Sequence, residues 1–458
     1  MTGSERESFL LATFEGGGAV APFVTLARQL IARGHDVRIM SDACNRGEVE
    51  AAGAEFVSWN AAPSRPARGR EYEFLDDWNV ATAFEGFCLA VEKMVVGRAE
   101  DFAADIRAEL KRRPASLAVI NDMILGAMMG CEAEGQRFVV MSCNVCAYPI
   151  IPGIPPMGPG LPPATSDEER RQHAEIAAGA MSVFDSYLDT YNLQRARAGL
   201  APLERLTDQL YAAEKFILAT CETFDFAPET LPDFIAYGGP LLDDNGWSHP
   251  WTNPFPEDDT RPLVLVSFST TFQNQAGLLQ KVMDALAPLP VRAVVTLGGI
   301  IREAEVRPAP NTTVVHSAPH NLLMKQASLV VTHGGHGTVI KALMHALPML
   351  IIPQGRDQND SAIRVTWRGA GLSLDPQAGT GAIRDALSRL LSEPGFAEAA
   401  ASLAGRMTAE AARRDLAGMV EKIAGEGRAL PPPAMASLRE HTMTGGLYEA
   451  RPGTSQGN

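Results

Sequence analysis

The stretch "LVVTHGGHGTVIKALMHALPMLIIPQGRDQNDSA", residues 329–362, spells out a strand, a turn, a helix and a second strand. Residues 329–332 are an apolar run of strand length, followed by glycines. A helical pattern begins near Thr338, and a second apolar run at 349–352 stops at Pro353. Two buried strands joined through a helix imply parallel pairing, because a parallel crossover needs a connection of this length. A glycine-rich turn at that position also aims backbone N–H groups and a helix N-terminus at an anion, above all a phosphate. Gly334, Gly335 and Gly337 leave room for a close approach, Thr338 offers a hydroxyl and His333 a ring N–H. The order is neither a Walker loop, which needs G-K-[ST], nor G-x-G-x-x-G. By themselves the glycines fit equally well a turn that only packs a helix on a sheet. Asp357 and Gln358, just beyond the next strand, favour the ligand reading. An acid and an amide at a strand end suit paired hydrogen bonds to sugar hydroxyls.

The same architecture stands at the other end of the chain, in "SFLLATFEGGGAVAPFVTLARQLIARGHDV", residues 8–37. Residues 9–13 read as a buried strand. Phe23, Leu26, Ala27, Leu30 and Ile31 then recur at i, i+3, i+4, i+7 and i+8, one face of a helix. Pro22 suits its first turn and Gly34 its C-terminal end. Residues 37–40, 117–120 and 138–141 continue the sheet, and 167–200 is mostly helical. Between them "YPIIPGIPPMGPGLPPATS" reads as a long surface loop. The Pro, Gly and Asp content of 237–262 marks a linker. Beyond it come strands at 263–267, 293–297 and 313–316, with a helix at 276–286. The expected fold is α/β, two Rossmann-like doubly wound domains facing a cleft. Residues 1–240 and 263–430 form the domains, 241–262 the linker, and 431–458 a loosely packed tail.

The bulk numbers narrow the partners. The chain has 458 residues, 46% of them hydrophobic, and a formal charge of −14. Its length suits two cores, and its acidity argues against nucleic acid or an anionic membrane. No basic segment leads into an apolar core at the N-terminus. The apolar stretch "AVINDMILGAMMGC" is broken by Asn121 and Asp122 and is too short to span a bilayer. A cytoplasmic protein is therefore expected, with oligomerisation left open. Of six cysteines, Cys143 and Cys146 form a lone C-x-x-C without a second pair or histidines at zinc spacing, which favours reduced thiols over a metal site.

These pieces together resemble the family 1 nucleotide-sugar glycosyltransferases of the GT-B fold, particularly bacterial ones acting on natural products. The resemblance runs through the first glycine-rich unit, "GIPPMGPGL", "LVLVSFSTTFQNQ" and "HSAPH", and is most specific in "THGGHGTVIKALMHALPMLIIPQGRDQ". It implies that His333, Gly335, Gly337, Thr338 and Thr270 hold the donor diphosphate and that Asp357 and Gln358 hold the donor sugar. Ala318 and His320 would lie beside the nucleobase. Ser317 stands where many plant relatives have a Trp, so uridine and thymidine both stay open. The implied reaction is inverting transfer of a sugar from a UDP- or TDP-sugar to a hydroxyl of an apolar small molecule. It needs no cofactor and no metal, since no acidic pair stands beside the diphosphate loop.

One departure is central. The family pattern places a histidine base three residues before the proline of the first helix, and here that position is Ala19. The position of the acid that orients it is kept, as Asp122. Asp122 and Glu15, both at strand ends, are the candidate bases, each expected to have an ordinary carboxylate pKa near ~4. Asp122 is favoured. A buried acid with backbone partners and a solvated loop Glu are the plainer readings of the two. Gly16, Gly17 and Gly18, with Ala19, are expected to bring backbone close to the acceptor. Tyr72, Phe74, Trp78, Phe84 and Phe87 are either an apolar acceptor wall or core. His35 reads as a turn residue, and His173 and His441 as surface residues. Loss of the base keeps a non-catalytic nucleotide-sugar-binding helper protein in view, alongside an epimerase or hydrolase on the same fold.

Overall fold

The structure is a computed structural model that describes residues 6–16, 18–243 and 251–426. The first half is built on seven strands: β1 (Ser8–Ala12), β2 (Asp36–Ser41), β3 (Glu55–Ser58), β4 (Leu117–Asn121), β5 (Phe138–Ser142), β6 (Phe216–Leu218) and β7 (Ile235–Tyr237). They lie in the order β3-β2-β1-β4-β5-β6-β7, every neighbouring pair parallel. The second half has six: β8 (Leu263–Ser267), β9 (Arg292–Thr296), β10 (Thr312–Val315), β11 (Leu329–Thr332), β12 (Met349–Ile351) and β13 (Gly371–Ser373). Their order is β10-β9-β8-β11-β12-β13, again all parallel. The central strands β4, β5, β8 and β11 are buried at every residue, as strands covered by helices on both faces must be.

Each sheet reverses its winding once, between β1 and β4 in the first half and between β8 and β11 in the second. At such a switch point neighbouring loops run to opposite faces and leave a crevice at the carboxyl ends of the strands. Glu15 follows β1, Asp122 follows β4, Thr270 follows β8 and His333 follows β11. All four line the same cleft.

The local readings hold with one shift of consequence. The first helix is Val20–Ala32 and buries Phe23, Leu26, Ala27 and Leu30; Gly34 beyond it has φ +94°. The 148–166 stretch has no helix or strand. The helix after the glycine turn starts at His336, two residues before the expected Thr338, with Gly335 as its N-cap. His35 is more than a turn residue: it is buried, meets Phe9 edge-on, accepts from the Glu7 N–H and pairs with Glu421 at 3.2 Å. Gly17, His441, residues 244–250 of the expected linker and the 431–458 tail lie outside the described residues.

Two devices join the halves. The last helix, Leu416–Gly425, lays Leu416, Ala417, Val420 and Ala424 into the core beneath β1 and the first helix. Arg137 caps its C-terminal carbonyls at Ile423 and Ala424. In the other direction, Cys221 and Phe224 of the first half enter the second half's core with Leu403 and Met407. Beside them Asp225 accepts from Arg364 Nε at 2.8 Å and from the Tyr237 hydroxyl at 2.8 Å, all buried. Removing one member of such a pair strands the other charge away from water. Asp225→Ala is therefore expected to cost about 3–5 kcal/mol and Tyr237→Phe about 1 kcal/mol, read as urea denaturation midpoints against wild type. Equal, small shifts for both would show that the pair does not hold the halves.

Candidate active site

The cleft between the sheets has a volume of about 1760 Å³. A site for one drug-sized ligand is typically roughly 300–1,000 Å³, so two substrates fit side by side. Its two walls differ in chemistry.

The second-half wall is polar. Thr270, His320, His333, Gly335, Gly337, Thr338, Asp357 and Gln358 all face the cleft. Ala318 does not: its side chain is packed in the core with Leu323 and Met324, so any contact with a base would come from its backbone. The turn Gly334–Gly335 is shaped by its neighbours. Gly334 has φ +101°, and a Cβ there would stand 3.0 Å from the Gln358 carbonyl. At Gly335 a Cβ would meet the His333 ring at 2.7 Å. At Gly337 it would meet nothing within 4 Å, which leaves the open face of the helix N-terminus toward the cleft. Burial, helped by the nearby charge of Arg356, pulls the His333 pKa down to about 3. The ring is neutral at pH 7 and offers one N–H donor and one acceptor.

Gln358 holds its own loop, accepting from Gln354 N at 2.6 Å and donating to Gln273 at 3.2 Å. Asp357 is buried deeply enough to raise its pKa, and its Oδ2 has no hydrogen-bond partner in the protein. A buried carboxylate oxygen without a donor is costly, and a sugar hydroxyl would supply one. His336, which sequence reasoning did not single out, is similar. Both ring nitrogens are buried without partners, the ring meets Phe224 edge-on, and burial lowers its pKa to about 4.

The first-half wall is mostly apolar. Phe74, Trp78, Phe84 and Phe87 line it with Met94, Ile151 and Phe184, and Phe87 and Trp78 also pack against the first and second cores, so those two are both wall and core. Tyr72 is exposed and stands outside the cleft. His173 lines it too, from the helix Asp167–Asp185. The Pro-rich loop closes one side and is tied to the opposite half. Gly158 and Gly160 N–H groups donate to Asp360 at 2.8 and 3.3 Å, and Asn359 donates to the Gly158 carbonyl at 3.1 Å. Burial raises Asp360 to about 7. Cys143 and Cys146 are buried thiols whose pKa values burial pushes far up, the opposite of a metal-binding or redox thiolate.

The two candidate bases differ from the expected ordinary carboxylates, because both are buried. Asp122 is 3% exposed, and burial raises its pKa to about 6 against hydrogen bonds from Ser142 and the backbone; the charge of Asp357 adds to the rise. Its own carbonyl accepts from the Tyr148 hydroxyl at 2.7 Å. Glu15 is not a solvated loop residue. It is 5% exposed and paired with Arg68 at 3.2 Å, and Arg68 also holds Glu48. Burial raises its pKa while Arg68 opposes the rise.

Ala19 caps the first helix, and its carbonyl accepts from Thr13 at 3.2 Å. Gly16 and Gly18 line the cleft but Ala19 does not. The missing Cβ of Gly16 makes room for the chain's own Phe14 ring, 2.2 Å from where it would stand.

Comparison with known proteins agrees with this geometry. Residues 280–423 match the family described as erythromycin biosynthesis protein CIII-like, C-terminal domain. The chain is 28% identical over 432 residues to 4'-demethylrebeccamycin synthase of Lentzea aerocolonigenes, covering 90% of this chain and 98% of that one. It is 36% identical over 182 residues to aclacinomycin-T 2-deoxy-L-fucose transferase of Streptomyces galilaeus, covering 39% and 41%. Among solved structures, the glycosyltransferase VinC in complex with dTDP superposes with a TM-score of 0.65 at 20% identity, covering 92% of this chain and 100% of that one. A polar wall facing a mostly apolar one across two parallel sheets, with these relatives, marks the chain as a glycosyltransferase of the GT-B fold, similar to the family 1 enzymes that act on natural products.

Proposed function

We propose that the enzyme moves a sugar from a uridine or thymidine diphosphate sugar to a hydroxyl of an apolar small molecule, inverting the anomeric carbon, with Asp122 as the base. The observation that carries this is the facing of two switch points: the helix N-terminus at His336 and Asp357 on one wall, Asp122 on the other, with an aromatic pocket beside it. VinC, similar in fold, was solved with dTDP, which supports a pyrimidine nucleoside diphosphate donor.

In the proposed step the acceptor hydroxyl gives its proton to Asp122 while its oxygen bonds to the anomeric carbon. The bond from that carbon to the diphosphate oxygen breaks, and the electron pair leaves with the diphosphate. Attack and departure on opposite faces follow from placing acceptor and donor on opposite walls. Charge growing on the leaving group would meet the N-terminal N–H groups of the helix His336–Met344, the Thr338 hydroxyl and the His333 N–H. Such fixed donors are worth on the order of 3 kcal/mol each in a dry site. A base titrating near 6 suits the task, because it is largely ionised at pH 7 yet basic enough to take a proton. Glu15 is the weaker candidate, since Arg68 already occupies its carboxylate.

Asp122→Asn is expected to lower kcat roughly 10²–10⁴-fold with donor affinity unchanged, and Glu15→Gln to cost far less. Wild-type kcat should fall as pH drops through about 6, where Asp122 gains its proton, and the Asn variant should lose that limb. Full kcat in both variants would remove both acids from the mechanism. Donor turnover without any acceptor would point instead to an epimerase or hydrolase.

His333→Ala should weaken nucleotide-sugar binding about tenfold by calorimetry; unchanged affinity would move the diphosphate elsewhere. Activity should also survive excess chelator, and loss restored by magnesium would refute a metal-independent step.

A further inference from the structure

The groups assigned above to the donor diphosphate are neutral: backbone N–H groups, hydroxyls and an uncharged imidazole. Among the described residues that line the cleft from the second half, the cations are Lys341 and Arg356. Lys341 donates to the Asp243 carbonyl at 2.8 Å. Arg356 stands at the mouth of the diphosphate site. It immediately precedes Asp357, and its backbone is in the left-handed region at φ +56°, where a non-glycine residue is uncommon. The guanidinium reaches the loop after β8, where Nη1 donates to Thr271 Oγ1 at 2.8 Å. Its charge is felt at His333.

The other side of the guanidinium is taken by an acid from the opposite half. Asp77 accepts from Nε at 2.6 Å and from Nη2 at 3.1 Å. Asp77 sits in a segment without helix or strand that reaches across the cleft mouth. Glu73 in that segment accepts from the Phe272 N–H at 3.1 Å, Trp78 meets Phe272 edge-on, and Arg70 stacks over the same ring. A carboxylate in a two-point grip on an arginine has the shape of a phosphate in the same grip.

We infer that Arg356 is a ligand of the donor diphosphate and that Asp77 is its internal stand-in, which the incoming diphosphate displaces. This rests on the nucleotide-sugar reading above. The segment carrying Asp77 stays anchored through Glu73 and Trp78, so the exchange needs only the Arg356 side chain to swing from one acid to another. Donor binding then competes with an internal anion, and the cation arrives where charge grows as the sugar leaves.

The test is calorimetric binding of UDP, TDP and the corresponding nucleosides to the full chain, wild type against Asp77→Asn and Arg356→Gln, with melting temperatures recorded for each. Asp77→Asn removes the competitor and should raise diphosphate affinity about three- to tenfold. Arg356→Gln should lower it about tenfold or more, and neither should change nucleoside affinity. The double variant should behave like Arg356→Gln alone. A purely structural clamp predicts the opposite sign for Asp77→Asn: both single variants would lower diphosphate and nucleoside affinity together, and that result overturns the inference. If Arg356→Gln melts too low to assay, the direction of the Asp77→Asn change decides. Wild-type protein that binds neither diphosphate would sink the nucleotide-sugar reading along with this one.

Discussion

The site depends on a buried constraint just behind the cleft lining, the Asp225–Arg364 pair and the apolar interlock around it. A transfer between two walls works only if the walls hold a separation set to about an ångström. Burying Cys221 and Phe224 in the second core and the last helix in the first supplies adhesion, but apolar contact is nondirectional and would tolerate sliding. Arg364 supplies direction, because its fork must meet Asp225 while Arg368 donates to the Asp225 carbonyl at 2.7 Å. Both arginines also lie over Phe226. Arg364 belongs to the helix Gln358–Thr366, whose N-cap is Asp357. One helix thus docks the halves at one end and presents the proposed sugar ligand at the other.

That helix also sets the electrostatics of the cleft. Asp357, Asp360 and Asp122 are all buried acids with raised pKa values. Each is expensive in its charged form, and each has a reason to be there. Asp360 is repaid by two backbone N–H groups of the Pro-rich loop, so it fastens the acceptor side to the donor side. Asp357 keeps one oxygen without a protein donor, and Asp122 faces space. In the proposed reaction the last two are completed by substrate, so the cost of burying them becomes binding and proton-accepting capacity.

How much of this could be read from the chain depends on the range of the interactions. Strands, the first helix and the cleft-facing loops follow from periodicity and glycine placement, which are local, and the switch-point geometry follows from them. The helix starts at His336, two residues before the sequence signal, because its first residue is a histidine on a glycine turn, with no Ser, Thr or Asp cap to mark it. The acidity of Asp122 and Glu15 departs from the ordinary value for a different reason: burial is a property of the packed sheet, and no residue near either one in sequence announces it. Nothing near Arg356 in sequence marks its role, since its partner Asp77 is 279 residues away. The capture of the Pro-rich loop by Asp360 spans 202 residues and is equally invisible in sequence.

The glycine turn before the first helix gains a different meaning in this setting. A histidine at position 19, where the resembling family has its base, would hang from the N-cap of the first helix. With Ala19 that imidazole is absent, and in the proposed mechanism a carboxylate acts directly. An ordinary Asp at pKa near ~4 is a weak base toward an alcohol, so an exposed acid would be a poor substitute. Burial beside Ser142, reinforced across the cleft by Asp357, moves Asp122 to about 6, near the ordinary value for histidine. The same desolvation that makes the acid costly to bury therefore restores much of the basicity that the missing imidazole would have provided.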